Sequence, residues 1–196
     1  MSDGVAAILL AAGRSRRMGS CKQLLPLGGS TVIARCLATL DKGGVAEIVV
    51  VVSEDGQEVA EAVRTYSCRT VVNQEPGGDM ASSVRAGRDA LTSEPSGVIS
   101  LCDYPLVSAA TITSLMVEHA RSHDSIIIPC HLERRGHPLL FPRPVLEELS
   151  SDLILRDLVR RDPERIRCLD VDDPGVLIDM DTPEDYLHIC GMQQPA

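Results

Sequence analysis

Residues 5–10 read VAAILL, and the chain then passes through Ala11, Ala12 and Gly13 into the polar segment 14–22, RSRRMGSCK. An apolar run of this length that ends in small residues predicts a buried β-strand followed by a tight turn. A second run, EIVVVV at 47–52, is apolar from Ile48 onward, which is typical of a strand covered by helices on both faces. These two stretches predict an α/β fold.

Apolar runs of strand length alternate with segments of helical period along the whole chain, which predicts βαβ units around a mostly parallel sheet. We expect a three-layer α/β/α fold with a twisted sheet and a Rossmann-like nucleotide-binding half. The predicted strands cover 5–10, 47–52, 69–72, 98–102, 125–129, 138–141 and 176–180. The predicted helices cover 31–41, 56–66, 80–91, 109–121, 152–161 and 184–190. In the third helix Met80, Val84, Gly87 and Leu91 share one face, which should pack on the sheet.

Length and composition exclude several classes of protein. The 196 residues fit one domain, with a nucleotide-binding half at about 1–107 and an acceptor-binding half at about 108–196. A net charge of −9 and only four aromatic residues argue against nucleic-acid binding. Since neither a membrane-length apolar run nor a signal peptide is present, we expect a soluble cytoplasmic protein without a membrane partner. Seven widely spaced cysteines without a C-x-x-C pair fit reduced thiols.

The cations cluster directly after the first strand. Arg14, Arg16, Arg17 and Lys22 fall within nine residues, although the chain contains only two lysines. Open α/β folds bind ligands at the carboxyl ends of their strands, so this segment predicts a site for a phosphate-bearing ligand. The alternative is a solvated basic loop. The segment matches neither the Walker A pattern nor G-x-G-x-x-G, which argues against P-loop and dinucleotide-binding enzymes.

Acidic residues follow two later strands. Asp103 comes directly after the apolar run at 98–102, and the stretch 170–185 carries seven acids and no cation. Carboxylates at strand ends are suitable ligands for hard metal ions. Asp103 can also stabilise a turn, and Asp181 can also cap the helix that follows it. Together with the cationic segment, the acids predict a Mg²⁺-nucleotide site.

Five motifs, in order, carry a resemblance to a known family. They are LAAGRSRRMGSCK at 10–22, DMASSVRAG at 79–87, CDYPLV at 102–107, GHPLLF at 136–141 and DMDTPED at 179–185. Together they are similar to the signatures of the molybdenum cofactor cytidylyl- and guanylyltransferases, a family of nucleotidyltransferases. Ala11-Ala12-Gly13 resembles the CTP-using branch, because the guanylyl-transferring members usually carry L-A-G-G. The methylerythritol phosphate cytidylyltransferases are a weaker match, since their H-D-A-A-R-P stretch is absent.

The resemblance implies a Mg²⁺-dependent transfer of CMP from CTP to the phosphate of molybdopterin, with release of pyrophosphate. A molybdenum hydroxylase is the implied recipient of the finished cofactor. The implied nucleotide-binding residues are Leu10, Ala11, Ala12, Gly13, Arg17, Lys22, Ser83 and Asp103, of which Arg17, Lys22 and Asp103 are also catalytic. The implied metal ligands are Asp103, Asp179 and Asp181, and the implied acceptor-binding residues are His137, Asp152 and Arg156. Between the two neighbouring acids, we favour Asp179 as the ligand and Asp181 as a helix cap.

Some of these roles compete with structural ones, and some positions depart from the family pattern. Ser83 either contacts the base or ribose or stabilises a helix, and His137 is either an acceptor ligand or a turn residue. Asp79 and Cys102 stand where the family usually has glycine, and SDLILR at 151–156 replaces G-D-x-G-A-R. Two other functions therefore stay open: transfer to another phosphorylated acceptor, such as a sugar, polyol or isoprenoid precursor, and a cofactor-binding chaperone without turnover.

Overall fold

A computed structural model describes residues 4–13, 18–75, 77–92 and 97–192. Its strands are β1 Ala6–Leu10, β2 Pro26–Leu27, β3 Ser30–Thr31, β4 Glu47–Ser53, β5 Arg69–Asn73, β6 Gly97–Leu101, β7 Ile126–His131, β8 Arg134–Arg135, β9 Leu139–Phe141 and β10 Ile166–Asp170. Its α-helices are α1 Val32–Gly43, α2 Gln57–Val63, α3 Met80–Asp89, α4 Ala109–His119, α5 Arg143–Glu147, α6 Leu155–Arg161 and α7 Pro183–Met192. Short 3₁₀ helices cover Lys22–Leu24, Pro163–Arg165 and Pro174–Leu177. None of the helices in these ranges is long and apolar enough to cross a membrane.

In the described part of the chain, eight strands form one sheet in the order β10-β7-β9-β6-β1-β4-β5, with β8 paired to β7. Strands β1, β4, β5 and β6 are parallel, and β10 is parallel to β7. Strand β9 is antiparallel to both of its neighbours. From β1 the chain adds β4 and then β5 on one side of the sheet, and it next adds β6 on the other side of β1. The carboxyl ends of β1 and β6 therefore border the crevice where such sheets bind ligands.

Alternate residues of the central strands enter two separate cores. Ala7 and Leu9 pack in the core that α1, α2, α4 and α7 cover, whereas Ile8 and Leu10 pack in the core under α3, α5 and α6. The run Ile48–Val52 is buried at every position, as expected for a strand covered on both faces. The predicted three-layer α/β/α fold is confirmed.

Helix α3 packs on β1 through Gly87. A Cβ atom at Gly87 would lie 2.3 Å from Cγ2 of Ile8, so the helix backbone approaches the strand directly. Val84 is fully buried on the same face, as predicted, but Met80 is half exposed and lines the ligand pockets described below. Asp79 directly precedes the helix, and its side chain accepts a hydrogen bond from the Ser82 amide at 2.8 Å. The departure from the family pattern at Asp79 thus supplies the N-cap of α3.

The structure differs from the predicted elements in four places. Residues 176–180 do not form a strand: they complete the 3₁₀ helix Pro174–Leu177 and continue without regular structure. The edge strand is β10, which the sequence pattern missed because its residues, IRCLD, are polar or half-exposed. Helix α5 was also missed, since its first turn contains prolines at 142 and 144 that resemble a loop. The helix predicted at 152–161 begins only at Leu155.

Candidate functional site

The turn after β1 is fixed by hydrogen bonds from a neighbouring amide side chain. The Ala11 amide donates to the Val51 carbonyl at 2.8 Å, which extends the pairing of β1 with β4. Gln23, which is buried, donates through Nε2 to the carbonyls of Ala11 and Gly13, both at 3.0 Å. Gln23 is not among the site residues predicted from the sequence.

A pocket of about 350 Å³ lies between the carboxyl ends of β1 and β6. Of the predicted nucleotide-binding residues, it is lined by Leu10, Ala12, Gly13, Lys22, Ser83 and Asp103. Ala11 lies behind the wall and is buried, and Arg17 falls outside the described residues. The opposite wall comes from Gly77, Gly78 and the first turn of α3. The fold thus brings the predicted residues from distant parts of the sequence to the crevice at the reversal of strand order.

Asn73, at the end of β5, organises the wall formed by α3. Its Nδ2 donates to the hydroxyl of Ser82 at 2.7 Å and to that of Ser83 at 3.0 Å, and its Oδ1 accepts from the Glu75 amide. Ser83 in turn donates to the Asp79 carbonyl at 3.1 Å. The hydroxyl of Ser83 therefore takes part in the hydrogen bonds that shape the helix start. Its direct contact with a base or ribose stays a prediction.

Lys22 lies at the centre of an acidic cluster rather than on the surface. Its Nζ donates to Asp103 Oδ2 at 2.9 Å, to Asp181 Oδ1 at 3.0 Å and to the Met180 carbonyl at 3.2 Å. Only 8% of the residue is exposed. Burial by itself lowers the pKa of the Lys22 ammonium, but the facing carboxylates of Asp103 and Asp181 outweigh burial and raise it. Lys22 is therefore charged and bound to the acids.

Asp103 retains one carboxylate oxygen for a ligand. Its Oδ1 is buried and has no hydrogen-bond partner in the described part of the chain. The backbone carbonyl of Asp103 accepts from the Met180 amide at 2.8 Å, which joins the chain before α7 to the end of β6. A buried, unpartnered carboxylate oxygen is costly unless a cation or a donor satisfies it, so the atom suits a metal ion.

The three predicted metal ligands are not equivalent. Among the described residues, no three His, Cys, Asp or Glu side chains are grouped closely enough to hold one metal ion together. Asp179 is exposed, whereas Asp181 is half-buried and paired with Lys22. The assignment of Asp181 as a helix cap is wrong, because Thr182 caps α7: its hydroxyl accepts from the Asp185 amide, and Asp185 Oδ2 accepts from the Thr182 amide. Asp181 thus does not cap the helix, and it faces the site through its ion pair with Lys22.

Tyr104 and His137 connect the acids to a second pocket. Burial raises the pKa of Tyr104 to about 12, with further contributions from the charges of Asp179, Asp103 and Asp181. Burial also lowers the pKa of His137, and the charges of Asp103 and Asp179 partly oppose this. The two rings lie 4.7 Å apart, and His137 Nδ1 is buried without a partner among the described residues.

The second pocket, of about 600 Å³, shares Asp79, Met80 and Leu101 with the first. His137 and Arg156 line it, as predicted for an acceptor site. It is otherwise largely apolar, and Arg135, which was not among the predicted residues, also lines it. Asp152 does not reach the pocket: it is exposed and accepts a hydrogen bond from the Ser150 hydroxyl at 2.6 Å. The predicted acceptor role of Asp152 is therefore not supported.

Comparison with known proteins points to one family. A family model described as the MobA-like NTP transferase domain matches residues 7–166. A nicotine blue oxidoreductase from Paenarthrobacter nicotinovorans is 32% identical over 94% of this chain and 96% of its own. The molybdenum cofactor cytidylyltransferase of Escherichia coli strain K12 is 26% identical over 94% and 95%. A solved nucleotidyl transferase from Methanothermobacter thermautotroptrophicus is 25% identical, covers 98% of both chains and superimposes with a TM-score of 0.85. The resemblance drawn from the five motifs is confirmed.

Proposed function

Because the chain belongs to the MobA-like NTP transferase family and is a nucleotidyltransferase, we propose that it transfers CMP from CTP to the phosphate of molybdopterin. One observation carries the proposal: the carboxylates of Asp103 and Asp181 meet the Lys22 ammonium at a pocket beside the small-residue turn Ala12–Gly13. One site therefore combines acids that can hold a metal ion with a cation that can bind phosphates. Its small-residue turn also lets a ligand come close to the backbone amides.

The donor set fits a divalent cation that also contacts phosphate. Asp103, through its buried Oδ1, and Asp181 would hold Mg²⁺. Two carboxylates are sufficient, since magnesium at nucleotide sites takes its other ligands from phosphates and water. When bound, the ion supplies neutralisation of the negative charge on the phosphate oxygens. Lys22 and Arg17 would stabilise the pyrophosphate group as it departs.

The reaction is an in-line displacement at the α-phosphorus of CTP. An oxygen of the acceptor phosphate forms the new P–O bond, the bond to the β-phosphate oxygen breaks, and its electron pair leaves with pyrophosphate. The acceptor phosphate is mostly ionised near neutral pH, so no general base is required. The residues of the site contribute positioning and preorganised charge.

The second pocket is the proposed acceptor site. It adjoins the nucleotide pocket along Asp79 and Met80, so an acceptor bound there can reach the α-phosphate. Its apolar lining suits a ring system, and the guanidinium groups of Arg135 and Arg156 suit a phosphate. The preference for CTP rests on the resemblance of Ala12 to the CTP-using branch. A molybdenum hydroxylase would receive the product.

A second candidate function comes from the relative named nicotine blue oxidoreductase, which is 32% identical over nearly the full length of both chains. The same pair of pockets would then hold a redox cofactor and an organic substrate. Against this function, the turn after β1 lacks the G-x-G-x-x-G pattern of dinucleotide-binding folds.

Turnover measurements separate these functions. The protein is incubated with Mg²⁺, molybdopterin and each of CTP, GTP, ATP and UTP, and pyrophosphate release is followed. We expect release with CTP, and Asp103→Asn should lower the rate at least about a hundredfold. Asp124→Asn, at an exposed acid, is the control and should be unaffected. Preferred turnover of GTP would contradict the inference from Ala12. A separate assay with a reduced nicotinamide cofactor tests the second candidate: oxidation of that cofactor, with no pyrophosphate release from any of the four nucleotides, would favour it instead.

A further inference from the structure

The ammonium group of Lys22 lies between the two carboxylates assigned to the metal ion. It is 2.9 Å from Asp103 Oδ2 and 3.0 Å from Asp181 Oδ1, and a third hydrogen bond joins it to the Met180 carbonyl. These contacts are those of a cation held by oxygen ligands. Lys22 therefore neutralises the two acids.

The position of Lys22 allows its side chain to change partners without a change in the backbone. The residue begins the 3₁₀ helix Lys22–Leu24, and the neighbouring Gln23 is fixed by two hydrogen bonds to the turn after β1. Lys22 also lines the nucleotide pocket, so phosphates bound there come within reach of its flexible four-carbon stem.

Charge determines when such an exchange is favourable. A divalent cation that approaches Asp103 alone meets the ammonium at close range, and like charges in a partly buried site repel strongly. A nucleoside triphosphate supplies new anionic partners for the ammonium at the same time as it supplies phosphate ligands for the cation. Nucleotide and metal therefore favour each other's binding.

We propose that Lys22 neutralises Asp103 and Asp181 until the nucleotide binds and then moves to its phosphates, so that metal binds weakly until nucleotide is present. The proposal rests on the function proposed above, because it makes a metal–nucleotide complex the ligand that displaces the ammonium. It differs from a purely structural ion pair, whose loss would affect stability but would not improve metal binding.

The chain offers a matched control for the test, since its other lysine, Lys42, is exposed at the end of α1. Mn²⁺, which shares the oxygen ligands of Mg²⁺, is titrated into nucleotide-free protein, and free Mn²⁺ is measured by electron paramagnetic resonance. Lys22→Met should bind Mn²⁺ at least roughly tenfold more tightly than the wild type, because the competing charge is gone. Lys42→Met should match the wild type, and Lys22→Arg, which keeps the charge, should still bind weakly. Equal Mn²⁺ affinity of Lys22→Met and the wild type would overturn the proposal.

A second measurement observes the wild-type protein and needs a variant only to assign its signals. Protein labelled with ¹⁵N only in lysine has two ammonium groups to observe, and Lys42→Met assigns them. Saturating Mg²⁺ and CTP should shift the Lys22 signal and leave that of Lys42 unchanged. An unchanged Lys22 signal in the complex would refute the exchange. If CTP does not bind at all while Lys22→Met still gains Mn²⁺ affinity, the proposed function fails but the competition between lysine and metal stands.

Discussion

Replacing Asp173 by alanine should destabilise the protein more than the loss of an ordinary surface acid. Asp173 is only 7% exposed. Its Oδ2 accepts from the Ser108 amide at 2.9 Å and from the Thr111 hydroxyl at 2.5 Å, and its Oδ1 accepts from the Gly175 amide at 2.9 Å. The side chain thus joins the start of helix α4 to the 3₁₀ helix that leads to Asp179 and Asp181.

The magnitude follows from these three donors. A buried donor left without an acceptor costs about 1–3 kcal/mol, and we use the lower value for each because water can reach part of the space. Asp173→Ala should therefore lose about 3 kcal/mol of unfolding free energy. Asp173→Asn keeps one acceptor oxygen but turns an amide toward one of the donor groups, so it should lose about half as much.

Urea unfolding followed by circular dichroism measures the change, with Asp172→Ala as the control at an exposed neighbouring acid. The control should stay within about 0.5 kcal/mol of the wild type. In a thermal scan, Asp173→Ala should lower the Tm by roughly 6–12 °C for a chain of this size. The view that Asp173 satisfies three buried donors would be refuted if Asp173→Ala lost less than about 1 kcal/mol of unfolding free energy. This holds if the slope of that free energy against urea concentration is the same in variant and wild type.

Two further substitutions test the packing of α3 and the acceptor pocket. Gly87→Ala places a methyl group 2.3 Å from Cγ2 of Ile8, so it should cost about 1–3 kcal/mol in urea unfolding, and a neutral result would contradict the close approach of α3 to β1. Arg156→Ala removes a guanidinium group from the second pocket, so it should raise the KM for the acceptor roughly tenfold and leave the KM for CTP unchanged. Arg160→Ala, one helical turn away and outside that pocket, is the control; equal effects of the two would remove Arg156 from acceptor binding.

The elements that could be predicted from the sequence are those whose burial leaves a clear pattern. Ile48–Val52 is apolar throughout because helices cover β4 on both faces, and its position was predicted to within a residue. Strand β10 lies at the sheet edge with three of its five residues exposed, so its composition does not differ from that of a loop. Residues 176–180 show the opposite case: Val176 and Met180 are buried without forming a strand. An apolar run in the sequence therefore indicates that its residues are buried, but it does not by itself show that they pair as a strand.

The candidate site was predictable where residues follow strand ends and unpredictable where side chains interact with each other. The positions of Asp103 and the turn Ala11–Gly13 follow from the ends of β6 and β1. Gln23 and Asn73 were not predicted, because an amide side chain that donates hydrogen bonds to loop carbonyls or to hydroxyl groups belongs to no short sequence motif. Their partners are set by the approach of segments that are distant in sequence.

The position of Lys22 shows that the pattern of charges along the sequence does not reveal which opposite charges contact each other in the fold. The sequence places cations near residues 14–22 and acids near 103 and 179–185, which suggests two groups on opposite sides of a ligand. In the structure, Lys22 bonds directly to Asp103 and Asp181. Because opposite charges in a partly buried site attract each other, we expect Lys22 to leave the two acids only when a polyanion and a metal ion bind together and each supplies a new partner.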